Sequence, residues 1–234
     1  MADDNHEPFD WTCIDLVAFD VDGTLYDQRS LRLRVLAEMI PHAVYNRHLR
    51  IMPIIRTYRR LREQFGDEEV ADFEPKLVSE TASSVGCSKD VVESIVAEWI
   101  ERRPLRHLSA CRYPGLRELF AGLRRSGKTI GVLSDYPARK KLLALGLDAD
   151  VVVCAGDEEV GQLKPHPRGL EVLMTRTGVT GPRTVLIGDR IERDGFAARR
   201  AGAKCLIRCR KPKAAWVTFD RYDAPLFAPF LARN

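Results

Sequence analysis

A chain of 234 residues with 45% hydrophobic and 30% charged residues has an ordinary soluble composition and can bury a sizeable core without disulfides or structural metals. Its 37 Lys and Arg against 33 Asp and Glu leave a formal net charge of +4, too mild to point to a nucleic-acid partner. No apolar run approaches the roughly 20 residues that span a bilayer, and the six cysteines form no CxxC pair or zinc spacing, so we expect reduced thiols in a cytoplasmic protein with no membrane partner.

In chain order, residues 1–10 are acidic and polar, without the basic and apolar regions of a secretory signal. Five short aliphatic runs follow at 15–19, 129–133, 150–154, 184–187 and 204–207. Each is too short for a helix and reads as a strand buried on both faces of a parallel sheet. Helices are expected over 115–126, 137–145, 167–177 and 194–201, each stopping at or next to a glycine. The alternation predicts an α/β fold with a doubly wound, Rossmann-like parallel sheet.

Residues 27–112 break the alternation and are too long for a loop. They read as a helical insertion, with one apolar stripe at Leu31, Val35, Leu36, Met39 and Ile40. A second stripe runs over Val91, Val92, Ile95, Val96, Trp99 and Ile100, with Ser88 placed to cap it. Pro41 and Pro53 are expected to kink or interrupt the helices there. The division is therefore a core of 1–26 and 113–234 around an insertion of 27–112. From Trp216 onward, Phe219, Tyr222, Phe227 and Phe230 suggest a tail packed on the core.

The chemistry gathers just past the strands. The first strand ends in Asp20-Val21-Asp22-Gly23-Thr24-Leu25, the second in Ser134-Asp135 and the fourth in Gly188-Asp189, with Asp194 five residues on. Lys164-Pro165 follows the third strand. In a parallel sheet these ends share one edge, where ligands bind. Four carboxylates there suit a hard dication such as magnesium, and Ser134 and Lys164 suit a phosphate opposite it.

Asp20 and Asp22 as ordinary turn residues, Ser134 or Asp194 as helix caps, and Lys164 as a surface lysine are the competing readings; finding all four segments together in this order argues against them. Residues 122–129 match the P-loop pattern, but a helix precedes and a strand follows, the reverse of what a P-loop requires. Residues 29–62 hold nine arginines and one acid, Glu38, which is either a solvated face or a surface attracting an anion. The acidic residues of 67–74 are expected to balance it.

These four segments resemble, in kind and order, the motifs of the haloacid dehalogenase (HAD) superfamily. The insertion is similar to its C1-type cap, and the run from Gly188 to Gly202 is similar to its phosphoglycolate-phosphatase-like members. The resemblance implies a magnesium-dependent phosphatase acting on a small phosphorylated metabolite through an aspartyl-phosphate. It casts Asp20 as nucleophile, Asp22 as acid and base, and Asp20, Asp22 (by its backbone carbonyl) and Asp189 as magnesium ligands, with Asp194 orienting a metal-bound water or supporting Lys164. It further casts Ser134, Lys164 and the backbone of Asp135 as phosphate holders, with Thr24 steadying Asp20. A dehalogenase would lack Asp22. A phosphonate-cleaving enzyme would use a cap lysine, for which only Lys76 and Lys89 are present. The same scaffold would also suit a phosphomutase, or a non-catalytic module that binds phosphate and regulates.

Overall fold

The computed structural model describes residues 9–45 and 50–231, and the side chains of 43–45 are left aside. Residues 1–8 of the acidic N-terminal stretch, and Arg47 of the basic one, lie outside the described residues.

The strands are β1 (Leu16–Phe19), β2 (Thr129–Ser134), β3 (Val151–Cys154), β4 (Thr184–Gly188), β5 (Lys204–Arg208) and β6 (Val217–Phe219). They form one parallel sheet in the order β3-β2-β1-β4-β5-β6. This is the α/β, doubly wound arrangement that the strand–helix alternation implies. The sixth strand departs from the expectation of five. Val217-Thr218-Phe219 is too short to stand out as a periodic run, yet it extends the edge beside β5.

Every residue of β1 is fully buried, because it is central and covered on both faces. Leu16 and Ala18 pack with Leu133, Leu170 and Leu173 on one face. Val17 and Phe19 pack on the other with Leu119, Phe120, Leu123, Leu142 and Phe230. The period-two alternation thus divides a purely apolar strand between two helix layers.

Among the described residues, five α-helices fall within 27–112: α1 (Gln28–Tyr45), α2 (Ile51–Asp67), α3 (Phe73–Val85), α4 (Lys89–Val96) and α5 (Leu105–Cys111). A π-helical turn over Ala97–Arg102 continues α4. Ser88 Oγ accepts a hydrogen bond from the Val91 amide at 3.4 Å, a side-chain cap for α4. Pro41 does not end α1, which runs on through it to Tyr45. Pro53 sits in the first turn of α2, where its missing N–H has no partner to lose. The apolar stripes are narrower than the pattern suggested: Leu31, Val35 and Met39 are buried while Ile40 is exposed, and Val92 is buried while Val91 is exposed.

The remaining helices are α6 (Leu116–Arg125), α7 (Arg139–Leu145), α8 (Arg168–Thr177), α9 (Phe196–Arg200) and α10 (Ala228–Leu231). α6 ends before Thr129 opens β2, so residues 122–129 hold no phosphate-binding loop. The helix expected from Asp194 instead begins as a π-helical turn over Ile191–Gly195 and becomes α9 at Phe196. The aromatic tail packs inward: Tyr222 and Phe227 are fully buried, with ring centroids 5.8 Å apart. No helix of the described residues is long and apolar enough to cross a membrane.

Candidate active site

β1 lies between β2 and β4, where the sheet order reverses, and a crevice opens outside the carboxyl ends of such strands. The Asp20 amide is held by the Ile187 carbonyl at 2.9 Å, so the first acid leaves the sheet in register with β4. Gly23 then turns the chain at φ +100. A Cβ there would lie 2.3 Å from Asp189 Oδ2, so both the backbone angle and the space demand glycine.

Asp20, Asp189 and Asp194 converge, with one carboxylate oxygen from each lying within 4.8 Å of the others. Lys164 Nζ donates to Asp20 Oδ1 at 2.5 Å and to Asp194 Oδ1 at 2.6 Å, and is itself buried. Thr24 Oγ1 donates to Asp20 Oδ2 at 2.9 Å. The Thr24 carbonyl in turn accepts from the buried Tyr222 hydroxyl at 2.7 Å. Asp194 Oδ2 accepts the amides of Asp189 and Arg190 at 3.1 and 3.0 Å, holding the loop after β4.

This cluster brings together three acids and one ammonium. Burial pushes Asp20 well above the usual carboxylate range, and Asp194, Asp189 and Asp22 add to the rise against the pull of Lys164. Burial and the Asp194 charge push Asp189 up to about 7. Lys164 stays firmly charged, because Asp194 and Asp20 outweigh the cost of burying it. Asp189 Oδ1 is buried without a hydrogen-bond partner. An orphaned acceptor among crowded carboxylates fits a divalent cation bound by oxygen ligands.

Asp22 stands apart from the other acids. Lys141 Nζ donates to its two carboxylate oxygens at 2.6 and 2.7 Å, and the Tyr26 hydroxyl donates to Oδ1. Burial alone would raise the Asp22 carboxyl, but the charge and hydrogen bonds of Lys141, joined by Tyr26, hold it below its usual value. Its side chain is therefore not one of the three clustered carboxylates.

Ser134 is fully buried at the end of β2, and its Oγ accepts from the Tyr136 amide at 3.2 Å. Asp135 Oδ1 accepts from the Lys164 amide at 3.1 Å, which links the loops after β2 and β3.

Three residues escaped the sequence reading as individual candidates: Lys141, Arg62 and Arg193. Lys141 lies on α7 beside Ala138, Leu142 and Leu145, all buried. Arg62 lies on α2 beside Tyr58, Leu61 and Phe65, also buried. A cation on an apolar helical stripe was the available signal in both cases. Arg62 donates to the Asp135 carbonyl, and its guanidinium lies 4.2 Å from the Tyr136 ring centroid and 4.8 Å from that of Phe73. Arg193 is buried and donates to the Lys164 carbonyl at 2.8 Å and to Glu63 Oε2 at 3.0 Å, with Asp67 also 2.8 Å away. Arg190 pairs with both Glu63 oxygens at 2.9 Å.

The acidic residues of 67–74 thus do not balance the arginines of 29–62 alone: Asp67 pairs with Arg193 and Glu69 with Arg200, across to the loop and helix after β4. Of the basic stretch, Arg32, Arg56, Arg59 and Arg60 line a cavity of about 510 Å3 that also reaches Asp20, Asp22 and Lys164.

A family model for haloacid dehalogenase-like hydrolases matches residues 14–202. A phosphoglycolate phosphatase from Xanthomonas campestris is 29% identical over 190 residues, 80% of this chain and 79% of its own. A glyceraldehyde 3-phosphate phosphatase from Methanopyrus kandleri is 28% identical over 218 residues, 86% of this chain and 85% of its own. Among solved structures, a 2-haloacid dehalogenase from Pseudomonas syringae superposes with a TM-score of 0.59 at 20% identity, covering 91% of this chain and 92% of that one. CbbY from Rhodobacter sphaeroides in complex with phosphate gives 0.58 at 22%, covering 89% and 95%. The chain belongs to the haloacid dehalogenase-like hydrolase family. It is an enzyme of a hydrolase family whose curated relatives here are named as phosphatases.

Proposed function

We propose that the protein is a magnesium-dependent phosphomonoester hydrolase acting on a small phosphorylated molecule. The observation that carries this reading is the convergence of Asp20, Asp189 and Asp194 around Lys164, with Asp189 Oδ1 left unpartnered. The relatives named for phosphoglycolate and glyceraldehyde 3-phosphate support the reaction class.

In the first half, an Asp20 oxygen forms a bond to phosphorus and the bond to the substrate's alkoxide breaks, leaving an aspartyl-phosphate. Asp22 gives the alkoxide its proton. In the second half Asp22 takes a proton from water, the water oxygen bonds to phosphorus, and Asp20 is released. Thr24 and Lys164 fix the Asp20 carboxylate for in-line attack. Lys164, Ser134 and the Asp135 backbone hold phosphate oxygens. Asp20, Asp189, the Asp22 carbonyl and, directly or through water, Asp194 would hold magnesium. When bound, the metal offsets the negative charge shared by phosphate and carboxylates. The helices of 27–112 act as a cap that shields the site from water.

The test is release of p-nitrophenol and inorganic phosphate from p-nitrophenyl phosphate with magnesium, alongside phosphoglycolate and glyceraldehyde 3-phosphate. Asp20→Asn and Asp22→Asn each abolish turnover. Wild-type activity in Asp20→Asn would sink the nucleophile assignment, and phosphate transfer without release would mean a mutase.

A further inference from the structure

The cavity over the acidic cluster is larger than phosphoglycolate requires, and part of its wall is apolar. Its volume of about 510 Å3 is that of a site which buries a small organic molecule. Phosphoglycolate, with about nine non-hydrogen atoms, would fill no more than about half of it even at the roughly 30 Å3 taken by a liquid water.

The lining is divided by element. The acids and Lys164 come from the sheet edge. The helices contribute Leu31, Val35, Met39, Ile55, Trp99 and Leu108, all of them buried. A hydroxylated chain against that wall would lose its water and find few partners. The polar residues that the first two helices add to the lining are mainly the arginines, of which Arg32, Arg56 and Arg60 are exposed and Arg59 is half-buried. Arginines donate hydrogen bonds and accept none, so the hydroxyl donors of a sugar would find no acceptor among them, while their aliphatic stems can lie along an apolar chain.

We infer that the site takes a phosphomonoester whose alcohol carries a bulky apolar body, on the order of ten carbons or an equivalent ring system. This rests on the phosphatase reading above for the position of the phosphate. The phosphate meets Asp20 and Lys164, and the apolar body lies along α1 and α2.

The test uses n-alkyl phosphates from ethyl to dodecyl, kept below their micelle concentrations, with phosphoglycolate as the short polar reference. We expect kcat/KM to rise about four-fold per added methylene until the cavity is full. A flat or falling series beside good turnover of phosphoglycolate overturns the inference. Val35→Phe, which puts a ring into the cavity, moves the plateau to shorter chains; a plateau that does not move places the chain elsewhere and also overturns it. Binding of the matching n-alkyl phosphonates to the wild-type protein, by calorimetry, separates the two readings. If no ester is hydrolysed, the phosphatase reading falls. The phosphonate series still decides the cavity: a Kd falling about four-fold per methylene supports the inference, and a constant Kd overturns it.

Discussion

Lys141 Nζ sits within 2.7 Å of both carboxylate oxygens of Asp22, a pair formed between the turn after β1 and the first turns of α7. Lys141 is a positioning residue in this reading, because it touches the acid and not phosphorus. Lys141→Ala removes its charge, so the Asp22 carboxyl rises and the alkaline limb of the kcat/KM profile, where Asp22 must still carry its proton, moves to higher pH. We expect kcat to fall on the order of ten- to a hundred-fold. Lys141→Arg keeps the charge and restores part of it. An unchanged pH profile in Lys141→Ala would show that the pair is only structural.

In the proposed metal site, metal binding and pH are expected to be linked through Asp189. Its carboxyl is pushed up to about 7 in the folded chain, first by burial and then by Asp194, against about 3.9 when unfolded. A raised carboxyl contributes its stability fully below about pH 4 and loses it as pH climbs through about 7. Metal-free protein should therefore melt at lower temperature at pH 8 than at pH 5.5. Magnesium should recover more at pH 8, and Asp189→Asn should flatten the difference. A metal-free Tm that rises over this range would contradict the assignment.

Gly23→Ala tests how closely the first turn and the fourth strand end approach. The new methyl group would meet Asp189 Oδ2 at 2.3 Å, at a φ of +100. The strained backbone costs about 1–3 kcal/mol. We expect magnesium affinity, measured by calorimetry, to weaken about 10- to 100-fold as Asp189 is displaced.

Arg62 is inserted between the Phe73 and Tyr136 rings and donates to the Asp135 carbonyl. Arg62→Ala should cost about 3 kcal/mol, lowering Tm by roughly 6–12 °C in a chain of this size. Arg62→Lys should not restore it, because an ammonium cannot stack on both rings. Thermal melts of the two variants provide the comparison.

The sheet and the acids at its edge could be read from residue order because each was local. Asp20 follows a buried apolar run, Gly188 ends another, and parallel strands then force their ends together. What could not be read was contact between distant elements. Glu63 on α2 gave no hint that Arg190 and Arg193 would close on it. Lys140 and Lys141 are neighbours of equal chemistry, and only the buried side of α7 decides that Lys141 faces Asp22. Val217–Phe219 was missed because three residues carry too little periodicity to announce a strand. Pro41 does not interrupt α1 because helix propensity is weighed against packing, and α1 is held by Leu31, Val35 and Met39 beneath it.

The bond from Tyr222 to the Thr24 carbonyl joins residues 198 apart in the chain. On a ribosome, the segments bearing Asp20, Ser134, Lys164 and Asp189 would all emerge before the residue that braces the first of them. A chain extended only as far as Arg208 would carry every acid of the site without this brace.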